Sequence, residues 1–306
     1  MTLTIQARNF LAAVAEQNLA PWQDLPPTAS RERFNSYTDL FGVGPELETV
    51  ADHTIAGNIR VRLYQSQCSQ SAPAVMYFHG GGWVIGNIDT HDSLCRRLAK
   101  FSDCHIISVD YSLSPEARFP TALNECHAAT QHVVEHASDF GIIADRVAVA
   151  GDSAGGNLAA AVALKSIRQS HPLIRLQVLI YPVIARAFDT ESYLQFAEDH
   201  GLSRATMQWF WRQYMGDQAE TDLASPELAA SLEGLPTAHV VTAEYDVLRD
   251  EGEAYAARLR SARVPTTTRR YDGTLHGFLH FAGVFDDGIT ATQDVAEVLK
   301  SHLYAS

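Results

Sequence analysis

Between Val147 and Lys165 a short apolar, β-rich run gives way to an alanine-rich helical pattern. A serine stands at the junction, in Gly151-Asp152-Ser153-Ala154-Gly155. A serine on a tight strand-to-helix turn projects its hydroxyl above the sheet, and the strained backbone there tolerates only small neighbours. The chemistry this permits is nucleophilic attack on an acyl carbon. A second stretch, His79-Gly80-Gly81-Gly82-Trp83, directly follows the apolar run Ala74–Phe78. Consecutive glycines leave backbone N–H groups uncovered, and each such donor stabilises a developing oxyanion by about 3 kcal/mol. A phosphate cradle would need a following helix with a lysine, or a G-x-G-x-x-G frame, and neither is present. Each motif alone is common, but the two in this order point to acyl transfer.

Regular elements must bring these corners together. From Ala74 onward short apolar runs alternate with helical patterns: 74–79 then 91–102, 105–110 then 121–136, 146–151 then 155–167, and 175–181. Strands apolar on both faces and separated by helices predict a parallel sheet covered on both sides. Residues 185–222 break the rhythm with helical spacing and no strand, which reads as an insertion over the carboxyl edge of the sheet. Trp209, Phe210, Trp211 and Tyr214 cluster there. They read equally as a small local core and, with Trp83, as the wall of an acyl pocket. The rhythm resumes at 237–246, 250–262 and 266–272, with a last helix at 288–302. Upstream, Leu3, Ala7, Phe10, Leu11 and Val14 predict a helix over 3–18 with one sticky face. Residues 20–35 read as irregular because prolines break them. Thr49–Ile55 and Ile59–Tyr64 read as an antiparallel pair at the sheet edge.

The chain has 306 residues, 46% of them hydrophobic and 19% charged, enough for a substantial core. Its formal net charge of −13 argues against a nucleic-acid partner, which needs a basic face, and against an anionic membrane surface. Cys68, Cys95, Cys104 and Cys126 show no C-x-x-C spacing, so neither a disulfide framework nor a thiolate zinc site is expected. The first twenty residues carry charge within their apolar stretch and read as an amphipathic helix, not a signal peptide. With no membrane-length run, the expected setting is cytoplasmic.

With these motifs in place, the sequence resembles the hormone-sensitive-lipase-like, GDSAG-type carboxylesterases of the α/β-hydrolase superfamily. The likeness runs from about Ala74 to the end and includes Val109–Pro120, where Ser112 and Ser114 depart from the family pattern. The resemblance implies an α/β fold with an eight-stranded, mostly parallel sheet, helices on both faces and a helical cap. The corresponding division is 1–45 as the N-terminal part of the cap, 46–184 as the first part of the core, 185–222 as the cap insertion and 223–306 as the second part of the core. It further implies Asp246 and His276 as the acid and base that follow the serine in chain order. Glu244 and Asp250 compete for the acid, and His280 competes with His276. Gly81, Gly82 and Ala154 would supply the oxyanion amides. His79 is expected to brace its loop, Asp152 to start a helix or brace neighbouring loops, and Glu116 to anchor a loop beneath the site. The implied activity is hydrolysis of short- to medium-chain carboxylic esters through an acyl-enzyme, with no metal or organic cofactor, and homodimers occur in this branch. The alternatives are an arylformamidase or amidase on the same residues, and a receptor that binds without hydrolysing; the presence of His276 favours the enzyme.

Thirteen histidines invite a metal reading. His132 and His136 are four apart on a predicted helix with His127 a turn earlier, but no carboxylate or cysteine completes a zinc spacing. They are read as a solvated helix face. The pairs Arg96–Arg97 and Arg269–Arg270 are read as solvated surface.

Overall fold

In the computed structural model, which describes residues 2–66 and 71–305, the apolar runs become strands. They are β1 (Val50–Ile55), β2 (Ile59–Tyr64), β3 (Ala72–Phe78), β4 (His105–Asp110), β5 (Ile142–Asp152), β6 (Leu176–Ile180), β7 (Thr237–Tyr245) and β8 (Thr266–Leu275). They form one sheet in the order β1-β2-β4-β3-β5-β6-β7-β8. The first two pairings, β1 with β2 and β2 with β4, are antiparallel, and all others are parallel. Every residue of β3 and β6 is buried, as strands require when helices cover both faces.

The helices are α1 (Ile5–Glu16), α2 (Pro27–Asn35), α3 (Thr38–Phe41), α4 (Asp92–Ser102), α5 (Thr121–Glu135), α6 (Ala154–Gln169), α7 (Glu191–Gln195), α8 (Arg204–Met215), α9 (Arg249–Ser261) and α10 (Asp286–Leu303). One core joins the sheet to α5, α6, α8 and α9, and the other joins it to α1, α4 and α10. Cys95, Cys104 and Cys126 are buried in these cores, while Cys68 lies outside the described residues.

Three expectations need correction. Residues 27–35 are helical, not irregular: Pro27 opens α2, where a missing N–H costs nothing and the fixed φ suits the helix. The cap implied by the resemblance would seat the apolar face of α1 on the 185–222 insertion, but that face packs elsewhere. Phe10 packs against Phe281 and Phe285, and the insertion instead meets the short turn Trp22–Asp24, where Thr206 Oγ1 donates to Gln23 Oε1 at 3.0 Å. Arg97 is not solvated. It is buried and donates to the carbonyls of Phe41 and Val43, both at 3.2 Å.

Candidate active site

The serine corner is a junction of elements. β5 ends at Asp152 and α6 begins at Ala154, so one residue makes the turn. Ser153 takes φ 56° and ψ −118°, a backbone conformation costly for any residue with a Cβ. Its amide donates to Ile180 O at 2.8 Å and its carbonyl accepts from Val183 N–H at 3.1 Å, which holds the strained turn in place. A Cβ at Gly151 or Gly155 would overlap the carbonyl of Phe78. The small residues around the serine therefore let β5 and α6 pass close to the end of β3.

The partners arrive by strand register. β7 and β8 are neighbours and pair Tyr245 with Leu275, so the next residue on each, Asp246 and His276, leaves the sheet side by side. His276 Nδ1 lies 2.7 Å from Asp246 Oδ2, and His276 Nε2 lies 3.0 Å from Ser153 Oγ. With a carboxylate on Nδ1, that nitrogen carries the hydrogen and Nε2 is left to accept from the serine hydroxyl. Asp246 Oδ1 accepts from Leu248 N–H at 2.9 Å. The Asp246 side chain is fully buried, whereas that of His276 is 13% exposed, so the series opens toward solvent at its reactive end. The competing groups are employed elsewhere. Glu244 accepts from Gly273 N–H at 2.7 Å, and Asp250 accepts from Ser192 N–H at the start of α7, also at 2.7 Å. His280 is buried against His91 and Phe41.

The glycine loop leaves β3 beside this corner because β3 pairs with β5, Phe78 opposite Gly151. Gly81 and Gly82 take φ +109° and +58°, and the Gly81 carbonyl accepts from Val84 N–H and Ile85 N–H at 3.0 and 2.9 Å. Among the described residues, nothing accepts from the amides of Gly81 and Gly82. Asp152 braces this loop, since its Oδ1 accepts from Gly80 N–H at 3.0 Å and from Tyr77 OH at 2.7 Å. Burial opposes the charge of Asp152, but His91, His280 and the Tyr77 hydroxyl together outweigh it and hold the carboxyl below the usual carboxylate range. His79 Nδ1 donates to Gly80 O at 2.8 Å, and the His79 ring stacks on Tyr111 at 4.1 Å. Burial first, and then the neighbouring His91, lowers the His79 pKa to about 3, so it stands neutral as a brace.

Glu116 is not beneath the site. Its side chain is 61% exposed and pairs with Arg31 at 2.6 Å. Arg31 is the residue sequence reasoning missed: it donates to Val84 O and Ser114 O, both at 2.8 Å, tying α2 to the segment after the glycines. The proline pair opening α2 was the available signal. The two departures within 109–120 are both satisfied locally. Ser112 donates to the Glu125 carboxylate, and Ser114 Oγ donates to Ala117 O. The aromatic cluster divides. Trp83 stacks on Tyr214 at 4.1 Å and tilts against Trp211 at 4.9 Å, all three fully buried as a core. Phe210 lies on the glycine loop itself, where a Cβ at Gly82 would overlap its ring, and Trp209 leans on Phe210. The histidine stretch divides too: His127 is buried, whereas His132 and His136 stack on each other at 4.1 Å.

A family model for the α/β hydrolase fold matches residues 75–280. The chain belongs to that family. Within it the chain falls in the hormone-sensitive-lipase-like branch and is a carboxylic ester hydrolase, as its relatives are. It is 38% identical to carboxylic ester hydrolase LipN of Mycobacterium tuberculosis over 85% of this chain and 72% of that protein. It is 33% identical to ethyl acetate hydrolase of Pseudomonas putida over 92% of each. Among solved structures, a thermostable esterase from Pseudomonas putida superposes with a TM-score of 0.95 at 39% identity, covering 100% of this chain and 99% of that one. An esterase from Pyrobaculum calidifontis superposes with a TM-score of 0.93 at 37% identity over 100% of both. Among the described residues no helix is long and apolar enough to cross a membrane.

Proposed function

We propose that this esterase hydrolyses short- to medium-chain carboxylic esters by two displacements at Ser153. His276 Nε2 takes the hydroxyl proton as Ser153 Oγ bonds to the ester carbonyl carbon. Asp246 keeps the hydrogen on Nδ1 and stabilises the imidazolium that forms. The amides of Gly81, Gly82 and Ala154 receive the oxyanion; that of Ala154 is available because the first N–H groups of a helix have no intrahelical acceptor. The alcohol leaves with the proton from His276, water then attacks the acyl-enzyme, and the acid is released. The observation carrying this reading is the unbroken series Asp246–His276–Ser153 beside two unclaimed glycine amides.

In this reading residues 1–45 and 185–222 form the cap, and Phe210 at Gly82 closes the acyl side of the pocket, which supports the preference for short acyl chains. A cytoplasmic homodimer is the accompanying proposal, resting on the resemblance and the cysteine usage. The test is purified protein on p-nitrophenyl esters of rising chain length, with N-formylkynurenine alongside. Butyrate should turn over faster than long-chain emulsions and faster than the amide. The reverse order on either axis would overturn the substrate reading.

A further inference from the structure

Behind Ser153, on the Asp152 side, three buried side chains that can ligate a metal converge. One donor atom each from His91, Asp152 and His280 lies within 4.8 Å of the other two. Bracing of the glycine loop accounts for His91 and Asp152 but not for His280. That imidazole is 3% exposed, and neither ring nitrogen has a hydrogen-bond partner. A buried imidazole with both nitrogens unsatisfied is a costly feature unless something else binds them.

The other two groups are presented for ligation. Thr90 Oγ1 donates to Asn87 O and accepts from Asn87 N–H. Its 3.0 Å contact with His91 Nδ1 therefore places a hydrogen on Nδ1 and turns Nε2 toward Asp152. Nε2 stands 3.3 Å from Asp152 Oδ1. That separation matches the edge of a tetrahedron whose metal–ligand bonds are about 2.0 Å. Tyr77 OH on Asp152 and Thr90 on His91 are outer-sphere partners of the kind that orient metal ligands. The outer wall is a surface cavity of about 360 Å³ lined by Phe41 and Thr90, which touch His280 and His91, and by Glu46, which favours a cation at its mouth, while Asp89 and Asp92 there are paired with Arg62 and Arg96. Arg96 lines the same cavity and Arg97 is buried beside Phe41; both oppose a cation and hold the affinity down.

We propose that His91, Asp152 and His280 form an inhibitory site for a divalent first-row transition ion, with zinc as the natural candidate. Two imidazoles and one carboxylate suit such an ion better than calcium or magnesium, which prefer all-oxygen shells. The ion sits between His91 Nε2 and Asp152 Oδ1. It also competes for Asp152 Oδ1 and His91 Nε2, both of which accept from Gly80 N–H, and so slackens the glycine loop. The result is a fall in kcat with little change in KM. This kinetic consequence rests on the role proposed for the loop; the binding itself does not.

Cobalt reports the site through its visible ligand-field absorption, with zinc as competitor. One cobalt per chain should bind, leave on addition of zinc, and bind at least about tenfold more weakly in His280→Leu. The double variant His132→Ala/His136→Ala removes the stacked histidine pair on α5 and should leave binding unchanged. Should His280→Leu fold poorly, a zinc-edge anomalous map of soaked wild-type crystals locates the ion directly. Undiminished binding in His280→Leu, loss in the His132/His136 variant, or an anomalous peak only at the surface would overturn the site. Zinc at the cluster with no fall in kcat would overturn its inhibitory role.

Discussion

The molecule holds an imidazole–carboxylate pair on each side of the same serine. In front of it, His276 and Asp246 are 2.7 Å apart and the imidazole reaches on to the Ser153 hydroxyl. Behind it, His91 and Asp152 are 3.3 Å apart, and the carboxylate reaches on to the Gly80 amide. The chemical groups are the same; what differs is the third member and the access. The front imidazole touches a nucleophile and is partly exposed, whereas the rear imidazole is 1% exposed and touches backbone. A histidine beside an aspartate is thus a general base only where a hydroxyl and an entering substrate complete it. Elsewhere the same pair is a brace.

Substitutions sharpen this contrast. Ser153→Ala should lower kcat by a factor on the order of 10⁴ to 10⁶ with circular dichroism unchanged; retention of a tenth of the activity would remove Ser153 from its role. Asp246→Asn should lower kcat by about 10⁴-fold, and Asp152→Asn only on the order of 10²-fold, through displacement of the loop. Equal losses in the two asparagine variants would erase the distinction between front and rear. Gly82→Ala forces a Cβ into a left-handed position occupied by the Phe210 ring, and should cost roughly 10² to 10³ in kcat, the worth of one oxyanion donor. Phe210→Ala should raise the octanoate-to-butyrate ratio of kcat/KM roughly tenfold; an unchanged ratio would place the chain-length limit elsewhere.

The smallest effect concerns pH. Burial lowers the pKa of His79 to about 3, of His127 and His239 to about 4, and of His280 further below its ordinary value. All four are neutral in the fold while the unfolded chain protonates them below about 6.5. Their contribution to stability is complete above that pH and lost as it falls toward 4. Burial also lowers His105, and it raises the carboxyls of Glu251, Asp110 and Glu227, which work in the opposite direction to the histidines. The urea midpoint should therefore be lower at pH 5 than at pH 7. A midpoint that rises on acidification would contradict the neutral assignment of the histidines.

What the sequence revealed was local. The corner at Ser153 and the glycine loop are short-range patterns, and strand ends in chain order pointed to Asp246 and His276. The parallel sheet followed from strands with two apolar faces. Contacts between distant segments stayed hidden. His91 and His280 are far apart in the chain, and only the packing of the Phe278–Phe285 turn onto the start of α4 joins them. Arg97 looked solvated beside Arg96 because its partners are backbone carbonyls of Phe41 and Val43, which carry no sequence signature. Arg31 lay in a stretch whose prolines resembled breakers but served as a helix start. The insertion gave its aromatic composition but not its division of labour, since Phe210 differs from Trp211 and Tyr214 only in the direction each side chain leaves α8.

Labelling with a fluorophosphonate followed by peptide mapping tests the central claim most directly, because the reagent needs an activated hydroxyl and not merely a buried one. A single adduct on Ser153, formed quickly in the wild type and far more slowly in His276→Ala, is the predicted result. An adduct on any other residue, or equal labelling rates in the two proteins, would contradict it.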